Sequence, residues 1–191
     1  MRVISNLSSG ALGQILAKDF TKAGAKVTLL EGPVTQPLQS KSIKIRKFLF
    51  FDEFAPLFKR ELKKKFDVCI HAAAVSDYKI KNPRQEKINS RHKTLKLKLV
   101  PTQKIIQCIK PLNPQIFLVG FKLESKLTKT LAKQKSRDLF QNSQCDLVVA
   151  NTLQGQRYSG FILDKNGDFL AHQQSRQRIS TALIKIVKDR I

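Results

Sequence analysis

The stretch Asn6-Leu7-Ser8-Ser9-Gly10-Ala11-Leu12-Gly13 (NLSSGALG) decides how this chain is read. Small polar residues and spaced glycines let a backbone approach a phosphate closely. Loops of this kind join a β-strand to a helix. The helix is present: over 10–23, Leu12, Ile15, Leu16, Phe20 and Ala23 share one face, and Gly24 suits the C-terminal cap. The strand is not, because almost nothing precedes Asn6. The expectation is therefore that the loop is real and that its first strand is missing from the sequence as it stands.

Downstream of this helix, apolar strands and amphipathic helices alternate. KVTLLEG (26–32) is β-rich and ends at the Gly32-Pro33 turn, and SIKIRKF (42–48) alternates like a strand. FDEFAPLFKRELKKKF (51–66) reads as a helix, with Asp52 and Glu53 in its first turn and lysines in its last, as the helix dipole favours. DVCIHAAAV (67–75) is a nearly unbroken apolar run, the mark of a central parallel strand. Residues 78–93 are polar and aperiodic and read as an exposed flap. TLKLKLV (94–100) alternates as a strand, QKIIQCIKPL (103–112) is a short helix and QIFLVGF (115–121) a buried strand. A helix over 126–142, the strand CDLVVAN (145–151), a hairpin over 160–171 about Asn166-Gly167 and a helix over 175–191 complete the order. This predicts one α/β domain over 1–191, a doubly wound, mostly parallel Rossmann-like sheet with a flap and a C-terminal hairpin. A first strand belongs at the centre of such a sheet. Without it, the chain is expected to leave two strand edges open, to be poorly soluble and inactive, and to recover on extension upstream by about 15–20 residues.

Composition narrows the class. Hydrophobic content of 41% and charged content of 26% across 191 residues are those of a globular domain. No apolar run approaches the roughly 20 residues that span a bilayer, and the N-terminus does not read as a secretory signal. Cys69, Cys108 and Cys145 are far apart, with no C-x-x-C pair, which fits a cytoplasmic protein without a disulfide framework or zinc site. The net charge of +22 raises the question of nucleic acid. The lysines are scattered, however, no helix-turn-helix or zinc knuckle accompanies them, and two Tyr with no Trp supply a poor stacking platform. The charge reads as a solvated surface.

Ligands of doubly wound sheets bind beyond the carboxyl ends of the strands. Those ends carry the opening loop with Asn6, Ser8, Ser9, Gly10 and Gly13, then HAAAVSDY with Asp77, VGFKLES with Gly120 and Phe121, and VAN with Asn151. The helix that starts at the loop offers free N–H groups to an anion. Three consecutive alanines at a strand end leave room for a flat ring or a sugar, and an Asp shortly beyond, Asp77, suits either ribose hydroxyls or a metal. Each of these residues is also ordinary turn chemistry taken singly. His71, His92 and His172 lack metal-ligand spacing and read as structural or exposed.

Taken together, RVISNLSSGALG, GAKVTLLEGPV, HAAAVSDY, EKI, VGFK and DLVVAN, in this order over most of the chain, resemble the phosphopantothenate–cysteine ligase family, and specifically its monofunctional bacterial type. The resemblance implies an enzyme of coenzyme A biosynthesis that joins 4′-phosphopantothenate to L-cysteine. A nucleoside triphosphate, CTP in most bacterial members and ATP in eukaryotic ones, is consumed through an acyl-nucleotide with release of pyrophosphate. It implies Mg²⁺ carried by the nucleotide rather than by a side-chain cluster, and a homodimer in which the flap closes over the partner's site.

By matched motif, the resemblance implies that Ser8, Ser9, Gly10 and Gly13 cradle the triphosphate, Asn6 binds the acyl-nucleotide, and Ala73 and Asp77 contact base and ribose. It implies too that Lys87, ten residues after Asp77, matches the family's functional lysine, that Phe121 packs on the base and that Lys135 matches a helix lysine that reaches phosphate. Three departures stand out. INS follows Lys87 where fused forms are lysine-rich, Gln103-Lys104 replaces the family's Pro-Asp, and Leu139 stands nearest a second helix lysine. Two rival classes share the sheet. One is a nicotinamide-dependent oxidoreductase, for which Glu31 would hold the adenosine ribose. The other is a truncated, inactive nucleotide-binding protein.

Overall fold

The opening loop touches the chain leaving two strands that belong to separate sheets. The computed structural model describes residues 6, 8–83, 86 and 94–191. Helix α1 (Ala11–Lys22) leads into β1 (Thr28–Glu31), which pairs in parallel with β2 (Lys44–Lys47) from Thr28↔Lys44 to Glu31↔Lys47. Helix α2 (Phe51–Leu62) carries the chain to β3 (Val68–His71). The main sheet has the order β3-β6-β7-β8-β9, with β6 at Phe117–Glu124, β7 at Leu147–Gln154, β8 at Arg157–Asp164 and β9 at Phe169–Gln173. β3, β6 and β7 run parallel, and β8 and β9 are antiparallel additions. A short ribbon pairs β4 (Tyr78–Ile80) with β5 (Leu99–Pro101).

Alternation of side chains along the parallel strands builds the two faces of the core. Val119, Leu147 and Val149 point to one face, where Leu16 of α1 and Ile179, Leu183 and Val187 of α5 (Arg176–Lys188) cover them. Leu118 and Val148 point to the other, against Phe54, Phe58 and Leu62 of α2 and Ile105 and Ile109, which belong to a 3₁₀ turn (Ile105–Cys108) and α3 (Ile109–Leu112). Helix α4 (Lys129–Ser143) lies on this second side through Leu139 and Phe140. Its N-cap, Thr128, accepts from Leu131 N, and Ser175 caps α5 by accepting from Arg178 N, each cap contributing about 1 kcal/mol.

The mixed α/β architecture with a mostly parallel core agrees with the sequence reading; several details do not. The expected strand 94–100 is regular only over Leu99–Pro101. The strand read over 67–75 ends at His71, so the alanines lie beyond it. The strand read as ending at Asn151 runs on to Gln154 and turns through Gly155, φ 59°, into β8. The expected flap begins with β4 and is described only in part; residues 84, 85 and 87–93 lie outside the described residues.

Candidate functional site

The loop's geometry follows from one glycine. Gly10 is the N-cap of α1 with φ 70°, a left-handed conformation that costs a side chain strain. A Cβ there would also sit 2.6 Å from Val34 Cγ1. Glycine at this position thus lets the loop pack on the chain leaving β1. On its other side the loop touches the chain leaving β3, where Asn6 Nδ2 donates to Ala74 O at 3.2 Å. No side chain closes the N-terminus of α1 tightly: Ser8 Oγ and Ser9 Oγ lie 3.4 Å from the N–H groups of Gly10 and Ala11. The first turn holds no acidic residue, so the helix dipole and its leading N–H groups face the loop unopposed.

Beneath the loop lies a cavity of about 1300 Å³. Asn6, Ser8, Gly10, Gly13 and Ala73 are among the residues that line it, as are Ser76 and Tyr78. A Cβ on Gly13 would meet nothing within 4 Å, so that position opens onto free space. Ser9, Asp77, Phe121 and Lys135 do not line this cavity. Phe121 packs with the face covered by α1 and α5, and Lys135 is exposed on α4. Lys87 and His92 lie outside the described residues. Gly120, read from sequence as a strand-end residue, is instead a packing position: a Cβ there would lie 2.8 Å from Cys145 Sγ.

Asp77 is held by a residue that the sequence reading noted only as a departure. Lys104 Nζ donates to Asp77 Oδ1 at 2.5 Å, and Thr102 N donates to Asp77 O at 2.9 Å. The signal was available in principle. The antiparallel register Tyr78↔Pro101 makes residues just after 101 the neighbours of residues just before 78. Gln14 was missed as well. Its Nε2 donates to Glu31 Oε1 at 2.9 Å and to Gln36 O at 2.8 Å. Glu31 Oε1 and Oε2 also accept from Leu38 N at 3.0 and 3.3 Å, so this buried carboxylate closes the loop after β1.

His71, His172, Cys69 and Cys145 sit in packing positions. His71 is half-buried as a residue, but its ring is edge-on to Phe58 and desolvated, which lowers its pKa to about 4 and keeps it neutral at physiological pH. Burial raises the Cys69 and Cys145 thiols to about 12, so neither is a ready nucleophile. His172 stacks on Phe161 at 4.1 Å and shares a hydrogen bond with Ser159 Oγ at 3.0 Å. Among the described residues, no three of His, Cys, Asp or Glu stand together to hold a metal. No described helix is long and apolar enough to cross a membrane.

The chain is a mostly parallel α/β domain that turns a glycine loop and the N-terminus of α1 toward a cleft, and the chemistry of such a terminus suits an anion. Residues 1–189 match the model of the DNA/pantothenate metabolism flavoprotein C-terminal domain, and the chain belongs to that family. It is 40% identical over 155 residues, 80% of this chain and 38% of the relative, to the coenzyme A biosynthesis bifunctional protein CoaBC of Thermococcus kodakarensis. Against CoaBC of Borreliella burgdorferi the identity is 31% over 200 residues, 98% of this chain and 48% of the relative. The chain thus spans less than half the length of these relatives. Among solved structures, the DNA/pantothenate metabolism flavoprotein from Streptococcus pneumoniae superposes with a TM-score of 0.87 at 26% identity, covering 98% of this chain and 91% of that one. A Cab2 mutant in complex with phosphopantothenate-cysteine superposes with a TM-score of 0.75 at 19% identity, covering 100% and 83%, and so shares the fold.

Proposed function

We propose that this chain carries out the phosphopantothenate–cysteine ligase step of coenzyme A biosynthesis. The observation that carries the reading is that Asn6, Ser8, Gly10, Gly13 and Ala73 line one cavity, in a chain matched over 1–189 by the family model. The relatives' names supply the pathway.

In the first half-reaction the carboxylate of 4′-phosphopantothenate attacks the α-phosphorus of a nucleoside triphosphate, with CTP as the proposed donor. A new P–O bond forms, the bond to the β-phosphate breaks and pyrophosphate leaves. In the second, the amine of L-cysteine attacks the acyl carbon, loses a proton and expels the nucleoside monophosphate. The N–H groups at the start of α1, with Ser8 and Ser9, receive the triphosphate. Asn6 orients the acyl-nucleotide, Ala73 and Asp77 contact base and ribose, Phe121 packs on the base and Lys135 reaches phosphate. Lys87 offsets the charge that develops on departing pyrophosphate. Mg²⁺ enters as part of the nucleotide substrate, and a homodimer lets the segment about 78–93 reach the partner's site.

The oxidoreductase reading needs Glu31 free for a ribose, whereas both its oxygens are engaged by Leu38 N and Gln14. The test omits cysteine. With phosphopantothenate and α-labelled CTP, the protein accumulates a labelled acyl-nucleotide in amounts comparable to enzyme, and cysteine discharges it. Label incorporation that does not depend on phosphopantothenate contradicts the reading.

A further inference from the structure

Helix α4 carries a stripe of positive charge without counter-charge. Lys129, Lys133 and Arg137 are exposed and follow one another at four-residue steps, so they share one face of the helix. At 1.5 Å per residue they span about 12 Å. Among the described residues, none of the three has an ion-pair partner. Like charges at this spacing repel, and Lys129 stands at the end of the helix where the dipole is already positive. The first turn of α4 has no acidic residue and its last turn no basic one, the reverse of the order in α2. A face that is merely solvated gains nothing from this placement; an anion on it relieves the repulsion.

The β8–β9 hairpin holds two of these cations in place. Gly167, with φ 80°, lies against Lys133, and a Cβ there would sit 2.9 Å from Lys133 Cε. Lys129 Nζ stands 5.8 Å from the centroid of the Phe169 ring. Buried Phe161 braces that ring at 5.4 Å and 70°, yet Phe169 is itself 37% exposed. Between helix and hairpin lies a cavity of about 400 Å³, lined by Lys129, Thr130, Lys133, Gln134, Arg137 and Phe169. Its described lining thus offers three cations, one aromatic ring and two uncharged hydrogen-bonding side chains, and no acid. The volume is within the range of pockets that take small organic ligands.

This cavity is separate from the one under the opening loop, with which it shares no lining residue. Lys135, assigned above to the ligase reaction, follows Lys133 by two positions, about 200° round a helix of 3.6 residues per turn. It does not line the groove.

We propose that the groove between α4 and the β8–β9 hairpin is a second anion site, and that it takes a nucleoside polyphosphate. The phosphates lie along Lys129, Lys133 and Arg137, and the base stacks on the open part of Phe169. Thr130 and Gln134 meet the sugar or the base edge. A row of cations suits a chain of phosphates, and an exposed ring suits a flat base. Inorganic phosphate leaves the ring unused, and a bare nucleoside leaves the cations unused. The site stands whether or not the cavity under the opening loop performs ligation.

The test titrates the protein with ATP, inorganic triphosphate, adenosine or a single-stranded oligoribonucleotide and follows amide chemical shifts by NMR at residues 129–137 and at Phe169–Gln173. ATP moves these amides saturably, triphosphate does so more weakly, and adenosine does not. Lys129→Gln, Lys133→Gln and Arg137→Gln combined weaken the ATP response there by about tenfold or more, while shifts at residues 10–13, which report the other cavity, are unaltered. Phe169→Leu weakens ATP by about fivefold or more and leaves triphosphate unchanged. Should that variant fail to fold, the wild-type protein decides: ATP at least about fivefold tighter than triphosphate supports the stacked base, and equal affinity overturns it. A response that survives the triple substitution overturns the proposal, as does no saturable shift at these amides. Equal shifts at the basic end of α2, residues 59–65, overturn it as well, because they mean unspecific attraction to a basic surface. So does a response to the oligoribonucleotide with none to ATP, which would make the groove a nucleic-acid surface.

Discussion

Lys104 Nζ lies 2.5 Å from Asp77 Oδ1, and the two side chains are 59% and 63% exposed. The pair leaves Oδ2 of Asp77 free to accept while fixing the carboxylate in place. If Asp77 contacts the ribose, Lys104→Ala raises the nucleotide KM by up to about fivefold, since an exposed pair contributes only ~0.2–1 kcal/mol. The melting temperature barely moves. Steady-state kinetics beside a thermal melt checks this; an unchanged KM removes Lys104 from the site.

Gly10→Ala strains a left-handed residue and pushes into Val34. It costs about 1–3 kcal/mol in urea unfolding. Adding Val34→Ala recovers part of that loss, because the clash is relieved while the φ strain remains. Equal loss in single and double variants would show that the contact carries no energy.

Lys87→Gln leaves folding intact and lowers turnover by ~10²–10³-fold, the scale of one charge-stabilising donor. Wild-type turnover in this variant would exclude Lys87 from the activation step. Asn6→Asp slows the cysteine-dependent half-reaction more than the first, so acyl-nucleotide accumulates. Equal slowing of both halves counts against an orienting role.

Glu61, buried on α2, accepts from Lys64 Nζ at 2.6 Å and faces Arg46 of β2 at 3.8 Å. The Lys64 hydrogen bond lowers its pKa below the ordinary carboxylate value, against the opposing effect of burial. A depressed carboxylate pKa stabilises the fold above the unfolded pKa, and that stability is lost as pH falls through the folded one. Wild type therefore exceeds Glu61→Gln by about 1–3 kcal/mol at neutral pH. The gap closes in acid, below the ordinary value of 4.5. A gap that persists there would mean that Glu61 acts through shape rather than charge.

The sequence exposed the elements whose pattern is local. Apolar spacing from Leu12 to Ala23 located α1, and the runs about Ile70, Val119 and Val149 located the parallel strands. It did not reveal the β7–β8 turn, because Gly155 in TLQGQRY lacks the Asn-Gly or Asp-Gly signature and β7 runs past Asn151 with polar residues. Most of the loop residues named for the site line one cavity, since the motif and the start of α1 are contiguous. Lys104 escaped because its partner is 27 positions away, and only the β4–β5 register brings the two together. Glu31 looked like a ribose ligand from its place at a strand end. Only the fold shows that Leu38 N and Gln14 consume its oxygens.

The most direct test of the ligase reading is stoichiometry. The 191-residue protein is incubated with 4′-phosphopantothenate, L-cysteine, CTP and Mg²⁺. Phosphopantothenoylcysteine, CMP and pyrophosphate are measured by mass spectrometry. The account predicts equimolar formation of all three, dependent on both substrates. Absence of the amide product from folded protein, or its formation without release of CMP and pyrophosphate, would contradict it.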